Sequence, residues 1–251
     1  MGPPSSGGVI LIHMLKMLEN FAIDSMSWNS SEYIHLITEI ERRGYADRAE
    51  HLGDTDFWDV PIEMLLSDSY AKTRSSSINI SKATLSSEIS HGRPYPYESR
   101  ETTHYSVVDK NGNAVSVTTT LNTGYGSGYV VGGAGFLLNN EMDDFSSKPG
   151  EPNAYGLVGN EANAIEPGKR PLSSMTPTIV LKDGDPILII GTPGGSTIIT
   201  TVMQVILNNL VYDMSIEQAV SASRFHSQWL PDAIFVEPFT IASDIEKNLK
   251  E

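Results

Sequence analysis

Residues 102–120 have the sequence TTHYSVVDKNGNAVSVTTT, and this stretch decides the fold. β-Branched or aromatic residues recur at every second position on both sides of a polar segment that contains Asn111-Gly112. Because asparagine and glycine tolerate positive φ, this pattern predicts a β-hairpin. Pairing the two strands about the turn brings Thr120 back toward Thr102. A hairpin alone is a structural element, and most Asn-Gly hairpins carry no chemistry.

The rest of the chain carries weaker structural signals. Before the hairpin, apolar spacing predicts helices over residues 8–21, 31–49 and 61–72, which we interpret as support, and the serine-rich segment 75–90 predicts an exposed, mobile arm. After the hairpin, glycine and proline predict a long loop over 149–160. The later elements are a buried strand over 187–190, a helix over 196–208 with Ile198, Ile199, Val202, Val205 and Ile206 on its inner face, and a helical tail over 244–251.

Composition excludes several classes of function. The chain has 251 residues and a net charge of −14, which disfavours a nucleic-acid surface. It has no cysteine, so disulfides and thiolate metal sites are excluded, and its six histidines show no metal-ligand spacing. The apolar run over 9–18 is too short to span a membrane. Small polar ligands are the expected partners.

Five short motifs, taken together, carry a family resemblance. They are PPSSGG at 3–8, TTTLNT at 118–123, LNNEMDDF at 138–145, PLSSMTP at 171–177 and GTPGGS at 191–196. In order and spacing they closely resemble the γ-glutamyltranspeptidases, a family of N-terminal-nucleophile (Ntn) hydrolases. The resemblance implies an α+β fold, the four-layer αββα sandwich, which we expect to be incomplete in this chain.

The resemblance also implies a precursor that cuts its own backbone between Glu101 and Thr102. Residues 1–101 would be the mostly helical C-terminal part of a large subunit, and 102–251 the small, catalytic portion that begins at the nucleophile. The chemistry suits threonine, because a terminal α-amine with a pKa of about 8 can take the proton from its own hydroxyl. Before cleavage, the same hydroxyl can attack the Glu101 carbonyl, exchange amide for ester, and let water finish the cut. Outside this set of motifs, Thr102 would be an ordinary strand residue.

Further roles follow from the resemblance position by position. Thr120 matches the residue that hydrogen-bonds the nucleophile hydroxyl. The Gly194-Gly195 pair, at a strand-to-helix junction, matches the glycines whose N–H groups stabilise the acyl oxyanion. Alone, each would be good strand composition or an ordinary turn.

The remaining matched positions bind substrate. A γ-glutamyl group presents an ammonium, which needs carboxylates, and a carboxylate, which needs donors. The predicted ammonium site is formed by Asn122, Glu141 and Asp144, and some members carry glutamine where this chain has Glu141. Ser173 and Ser174 would hold the carboxylate, and Tyr155 would close the 149–160 loop as a lid. His104 is predicted to be structural.

The chain departs from the family pattern at both ends. Its first motif lies well inside the large subunit of full-length members, so the arginine that pairs with the substrate carboxylate has no counterpart that we can assign. We expect marginal folding or dependence on a partner. The predicted activity is γ-glutamyl hydrolysis or transfer from glutathione and similar donors to water, amino acids or peptides, without a cofactor, in the periplasm or outside the cell. A glutaryl or cephalosporin acylase, or a non-catalytic remnant, stays open as an alternative.

Overall fold

A computed structural model of the chain describes residues 1–89, 102–153 and 155–250. The described residues form an α+β structure, as predicted. The helices are α1 (Gly7–Leu18), α2 (Ser31–His51), α3 (Ile62–Leu65), α4 (Asp68–Ser76), α5 (Ser86–Ile89), α6 (Ile198–Leu210), α7 (Ile216–Ser221) and α8 (Ser243–Lys250). The strands are β1 (Thr102–Val108), β2 (Ala114–Thr120), β3 (Thr178–Lys182), β4 (Asp185–Ile190), β5 (Phe225–His226) and β6 (Phe235–Val236).

Helices α1, α2 and α6 enclose the core. Helix α2 begins where the Ser30 hydroxyl accepts a hydrogen bond from the N–H of Tyr33 at 3.2 Å, which satisfies one of the free donors of the first turn. Fully buried apolar residues such as Ile37 on α2 and Val202 on α6 belong to one continuous cluster. The sequence on both sides of residue 101 therefore shares a single hydrophobic core.

The β1–β2 hairpin has the predicted register. Thr102 lies opposite Thr120 in the antiparallel pair. In the turn, Gly112 adopts a φ of +84°, and the Asp109 carboxylate accepts hydrogen bonds from the N–H groups of Asn111 at 2.8 Å and Asn113 at 2.9 Å. The carboxylate thus closes the turn that the Asn-Gly signal predicts.

The predicted helix over 61–72 is wrong, because the chain forms two short helices there. Helix α3 ends at Leu65, and α4 begins after Ser67, whose hydroxyl accepts from the N–H of Tyr70 at 3.2 Å. A serine that caps a new helix interrupts the old one, since its side chain competes for backbone donors. The helix predicted over 8–21 also ends early, at Leu18.

Most described residues of the serine-rich segment are exposed, as predicted, but the segment is docked at a few positions and is not a free arm. Ser75, Ser86 and Ile89 are buried, and Ser86 accepts a hydrogen bond from Arg42 Nη2 at 2.7 Å. Arg43 Nη2 donates to the carbonyl of Ser77 at 2.9 Å. Residues 90–101, including Glu101, lie outside the described residues.

The predicted buried strand over 187–190 is buried on one face only. Leu188 and Ile190 join the core, whereas Ile187 is 46% exposed. Residues 102–120 of the β1–β2 hairpin lie outside the buried core, and Tyr105 and Val107 are more than half exposed. Across the described ranges, no helix combines the length and the apolar character needed to cross a bilayer.

Candidate active site

Thr102 lies at the edge of a small cavity of about 30 Å³. Its hydroxyl donates a hydrogen bond to Thr120 Oγ1 at 3.3 Å. Thr120 Oγ1 also accepts from the N–H of Asn122 at 2.9 Å, so its position is fixed by the backbone at the end of β2. The strand register predicted from alternation therefore produces a direct contact between the two threonine hydroxyls.

Most of the predicted site residues line this one cavity. They are Thr102, Thr120, Asn122, Asp144, Tyr155, Ser173, Ser174 and Gly195. Gly194 is not among the lining residues and borders a larger groove on the other side of the same turn. Glu141 does not line the cavity either, and lies at the opposite end of a short 3₁₀ turn from Asp144.

The acidic end of the cavity is formed by the 3₁₀ turn Glu141–Asp144. Burial raises the pKa of Asp144 to about 7, the carboxylates of Glu141 and Asp143 add to this, and the Arg48 guanidinium opposes it. Burial also raises the pKa of Glu141. Carboxyl groups with raised pKa values ionise more readily when a cation lies beside them, because the cation stabilises the charged form.

The turn that contains Ser173 and Ser174, called the serine turn below, is held by residues 4–7 near the start of the chain. The carbonyl of Ser173 accepts from the N–H of Ser6 at 2.9 Å and from its hydroxyl at 2.7 Å, and the N–H of Ser173 donates to the carbonyl of Pro4 at 3.1 Å. A Cβ on Gly7 would lie 2.4 Å from the carbonyl oxygen of Met175, so only glycine permits this approach. Two motifs far apart in sequence are thus one structural unit.

Arg48 on α2 also borders the cavity. Its Nη2 donates to the Ser174 hydroxyl at 3.2 Å and its Nε to the Ser6 hydroxyl at 2.9 Å. The residue is only 4% exposed. No arginine was predicted in the site, yet Arg48 donates to Ser174 and its charge lowers the pKa of Asp144.

Tyr155 covers the side of the cavity near Asn122. Its hydroxyl donates to the side-chain oxygen of Asn122 and, at 3.2 Å, to the backbone carbonyl of the same residue. Gln228 Nε2 in turn donates to the carbonyl of Tyr155 at 3.3 Å. The aromatic residue of the 149–160 loop therefore packs directly on a predicted binding residue.

The glycine pair lies where β4 leads into α6. Gly194 and Gly195 have φ values of +138° and +55°, which disfavour residues with a Cβ. The 3₁₀ turn Gly195–Thr197 begins at the second glycine and continues into α6. N–H groups at the start of a helix lack partners within it, so they can bind an anion.

Comparison with known proteins assigns the family. A protein-family model described as Gamma-glutamyltranspeptidase matches residues 1–251. The chain belongs to this family. The glutathione hydrolase proenzyme of Escherichia coli (strain K12) is 55% identical over 237 residues, which are 94% of this chain and 41% of that protein. The chain thus spans about two fifths of the length of that relative.

Solved structures agree with membership of the γ-glutamyltranspeptidase family. A mutant of the Helicobacter pylori γ-glutamyltranspeptidase is 64% identical, with a TM-score of 0.58 over 59% of this chain and 80% of that chain. A cephalosporin acylase from Bacillus halodurans is 24% identical, with a TM-score of 0.77 over 100% of this chain and 42% of that chain. The latter likeness shows the fold alone. Both the family predicted from the five motifs and the Ntn-hydrolase fold are confirmed.

Within the γ-glutamyltranspeptidase fold, two further features bear on the chemistry. His104 hydrogen-bonds the hydroxyls of Thr118 at 2.8 Å and Ser106 at 3.1 Å, and burial lowers its pKa. In the part of the chain that the structure describes, no group of three His, Cys, Asp or Glu side chains is arranged to hold a metal ion. Hydroxyl and carboxylate side chains and a glycine of the turn line the cavity beside Thr102.

The sequence indicates the position of Arg48 in the site only indirectly. Helical spacing marks the apolar face of α2, but it does not reveal that the polar residues of this helix are buried as well. The available clue was the serine-glycine motif at 3–8, whose small polar residues leave room for a long side chain to reach the serine turn. A charged residue of α2 that reaches this motif, as Arg48 does through the Ser6 hydroxyl, was the residue to seek.

Proposed function

We propose that this chain carries the catalytic part of a glutathione hydrolase. It would transfer the γ-glutamyl group of glutathione and similar donors to water, or to amino acids and peptides. The observation that carries the proposal is the contact of the Thr102 hydroxyl with Thr120 Oγ1, at 3.3 Å, beside a cavity that Asp144, Ser174 and Gly195 also line.

The proposed reaction begins with self-cleavage. The Thr102 hydroxyl adds to the carbonyl of Glu101, the C–N bond breaks, and the acyl group moves from nitrogen to oxygen, which frees the α-amine of Thr102. Water hydrolyses the ester and leaves two chains, 1–101 and 102–251. The new α-amine then acts as the base for its own hydroxyl. Thr120 orients that hydroxyl through the contact described above.

In turnover, the Thr102 oxygen would attack the γ-carbonyl of the donor. The carbonyl oxygen becomes negative, and the N–H groups of the glycine turn stabilise it. The intermediate collapses when the amine of the leaving group takes a proton, and a γ-glutamyl ester remains on Thr102. Water or an acceptor amine then displaces the threonine oxygen. None of these steps requires a cofactor.

Recognition of the donor would divide between the two ends of the cavity. The α-ammonium would lie at the acidic end, against Asp144 and Asn122, with Glu141 adding negative charge from the same turn. The α-carboxylate would accept hydrogen bonds from the turn of Ser173 and Ser174. Because a carboxylate with a raised pKa is stabilised by a neighbouring cation, the acidic end favours a substrate that carries an amine.

The proposed lid covers part of the site that the donor would occupy. The cavity beside Thr102 is half open to the surface, and its volume of about 30 Å³ corresponds to roughly one water molecule. The contacts of Tyr155 with Asn122 cover one side of it. We therefore assign the 149–160 loop to a gate that opens for the donor and closes over the acyl-enzyme.

The two portions of the chain would remain together after cleavage. Contacts across the predicted cut include Arg48 with Ser174, at 3.2 Å, and the carboxylate of Glu41 with the N–H of Ser227, at 2.8 Å. The periplasm or the extracellular space is the proposed location, by analogy with bacterial members of the family.

Intact-protein mass spectrometry over time tests the proposal. The full chain should split between Glu101 and Thr102, and Thr102→Ala should stay whole. Thr119→Ala, which removes the hydroxyl of the exposed neighbour of Thr120, serves as the matched control and should split like the parent chain. A parent chain that stays whole under all conditions would reject the proposal for this chain and favour a non-catalytic remnant.

Two substrates then separate the remaining candidates. The cleaved protein should hydrolyse γ-glutamyl-p-nitroanilide and should leave glutaryl-p-nitroanilide, which lacks the α-ammonium, nearly untouched. Preference for the glutaryl compound would instead indicate an acylase, and would mean that the carboxylates of Asp144 and Glu141 do not bind an ammonium.

A further inference from the structure

The carbonyl of Gly194 receives two hydrogen bonds from one residue. Thr197, the last residue of the turn Gly195–Thr197, donates to this oxygen from its hydroxyl at 2.9 Å and from its N–H at 3.0 Å. The N–H bond is the ordinary closure of a 3₁₀ turn. The hydroxyl bond is additional, and together the two donors fix the direction of the carbonyl.

Peptide geometry links that carbonyl to the cavity. The C=O of Gly194 and the N–H of Gly195 belong to one planar trans unit, so they point in opposite directions. Gly194 and Thr197 border the larger groove, of about 590 Å³, whereas Gly195 borders the cavity beside Thr102. A carbonyl held toward Thr197 therefore holds the Gly195 N–H pointing away from Thr197, and Gly195 is the member of the glycine pair that lines the cavity.

The surroundings of the turn are built for this contact. A Cβ on Gly194 would lie 2.6 Å from the Thr197 hydroxyl oxygen, so glycine is needed for the hydroxyl to reach its acceptor. The next carbonyls are held as well, because Tyr45 donates its hydroxyl to the carbonyl of Ser196, and Thr200 Oγ1 donates to that of Thr197 at 3.0 Å. The peptide units of the turn have little freedom to rotate.

We propose that Thr197 is a positioning residue that aims the N–H of Gly195 at the oxyanion formed on the substrate carbonyl attacked by Thr102. This rests on the proposed function, since it concerns the acyl-transfer step. A hydroxyl that bonds a carbonyl three residues earlier is common in helices and usually has only a local structural effect. A positioning role predicts a loss in kcat at unchanged KM, which a local structural role does not.

The test uses four variants of the full chain. Thr197→Val replaces the hydroxyl by a methyl group, Thr197→Ala removes both the hydroxyl and the γ-methyl group, and Thr197→Ser retains the hydroxyl. Thr201→Val removes another hydroxyl that lines the same groove one helical turn later. Loss of a whole oxyanion donor lowers kcat by about 100-fold to 1,000-fold, so a misdirected donor should lower it by about 10-fold to 100-fold.

We expect that fall in kcat for γ-glutamyl-p-nitroanilide in both hydroxyl-free variants, with KM unchanged. Thr197→Ser should recover most of the rate, and Thr201→Val should keep all of it. Parent-like kcat in the hydroxyl-free variants, or an equal fall in Thr201→Val, would overturn the proposal.

A second measurement does not depend on activity. The backbone amide resonance of Gly195 reports on hydrogen bonding at the preceding carbonyl, so it should move in the hydroxyl-free variants and return in Thr197→Ser. An unmoved resonance would overturn the inference even if the parent chain were inactive. A moved resonance in an inactive parent would retain the orienting role of Thr197 and reject only the proposed function.

Discussion

Helix α2 and the β1–β2 hairpin reverse the usual distribution of charged and apolar side chains. The helix buries most of its charged residues, whereas the hairpin leaves Tyr105, Val107 and Val115 more than half exposed. The buried charged residues of the helix are Glu39, Glu41, Arg42, Arg43, Asp47 and Arg48.

The difference shows which region organises the site. Charges are buried at acceptable free energy only when they are paired and hydrogen-bonded, and Glu39 accepts from both Arg42 and Arg43 at 2.6 Å. From this buried helix, Tyr45 and Arg48 reach two different loops of the cavity. The hairpin supplies the hydroxyl of Thr102, the proposed nucleophile, and the helix contacts the loops that surround it.

The largest predicted loss of stability comes from a substitution that breaks the buried ion pairs of α2. Glu39→Gln keeps the shape of the side chain but leaves two buried guanidinium groups without their shared carboxylate. The free energy of unfolding should fall by about 3–5 kcal/mol, measured by urea denaturation. Glu151→Gln, which removes an exposed partner of Lys148, should lower it by no more than about 1 kcal/mol. Equal losses in the two variants would show that the buried ion pairs of α2 contribute no more to stability than an exposed pair.

A matched pair of isosteric substitutions compares the core with the exposed face. Val202 is fully buried on α6 and Val107 is 53% exposed on β1. Val202→Thr buries a hydroxyl and should lower the free energy of unfolding by about 1–3 kcal/mol. Val107→Thr should change it by less than about 0.5 kcal/mol. A large loss at Val107 would mean that the outer face of the hairpin is covered in solution, which sedimentation of the parent chain would reveal as self-association.

The smallest predicted effect is a shift in pH dependence. The pKa of Asp144 is about 7, and its carboxylate must be ionised to bind an ammonium. Protonation of the proposed base, the Thr102 α-amine, lowers kcat/KM for γ-glutamyl hydrolysis as the pH drops below about 8, and protonation of Asp144 should lower it further below about 7. Because the Arg48 guanidinium lowers the pKa of Asp144, Arg48→Met should move the acid limb to higher pH, by up to about one unit, or about 1.4 kcal/mol.

Arg224→Met provides the control for that shift. Arg224 is paired with Glu237 in the neighbouring groove, and its loss should leave the acid limb where it is. A limb that stays in place in Arg48→Met, or that moves equally in both variants, would show that Asp144 is not the group that titrates.

Local pattern was sufficient to predict the elements whose contacts are local. Period-two alternation about Asn111-Gly112 predicted the register that brings Thr102 to Thr120, and the apolar face of α6 matched helical spacing. The break at Ser67 was missed because a serine in a helical pattern is compatible with either a cap or a solvent-exposed position. The docked segment after Ser75 was missed because its partners, Arg42 and Arg43, lie more than thirty residues away.

The candidate site also contains residues that the sequence predicted and residues that it did not. The motifs predicted a set of substrate-binding residues, and most of them line one cavity. They did not identify Arg48 or Tyr45, because a buried polar side chain on a helix has no periodic signature of its own. Its direction is set by the packing of α2 against loops from the other end of the chain.

The single hydrophobic core has a consequence for a chain that is cut after Glu101. Before the cut, the helical portion and the catalytic portion face each other at the high effective concentration that a covalent linker provides. After it, the same buried contacts become an interface between two molecules, and the folding equilibrium becomes an association equilibrium with a Kd. The melting temperature of the cut protein should then rise with protein concentration, whereas that of the uncut chain stays constant.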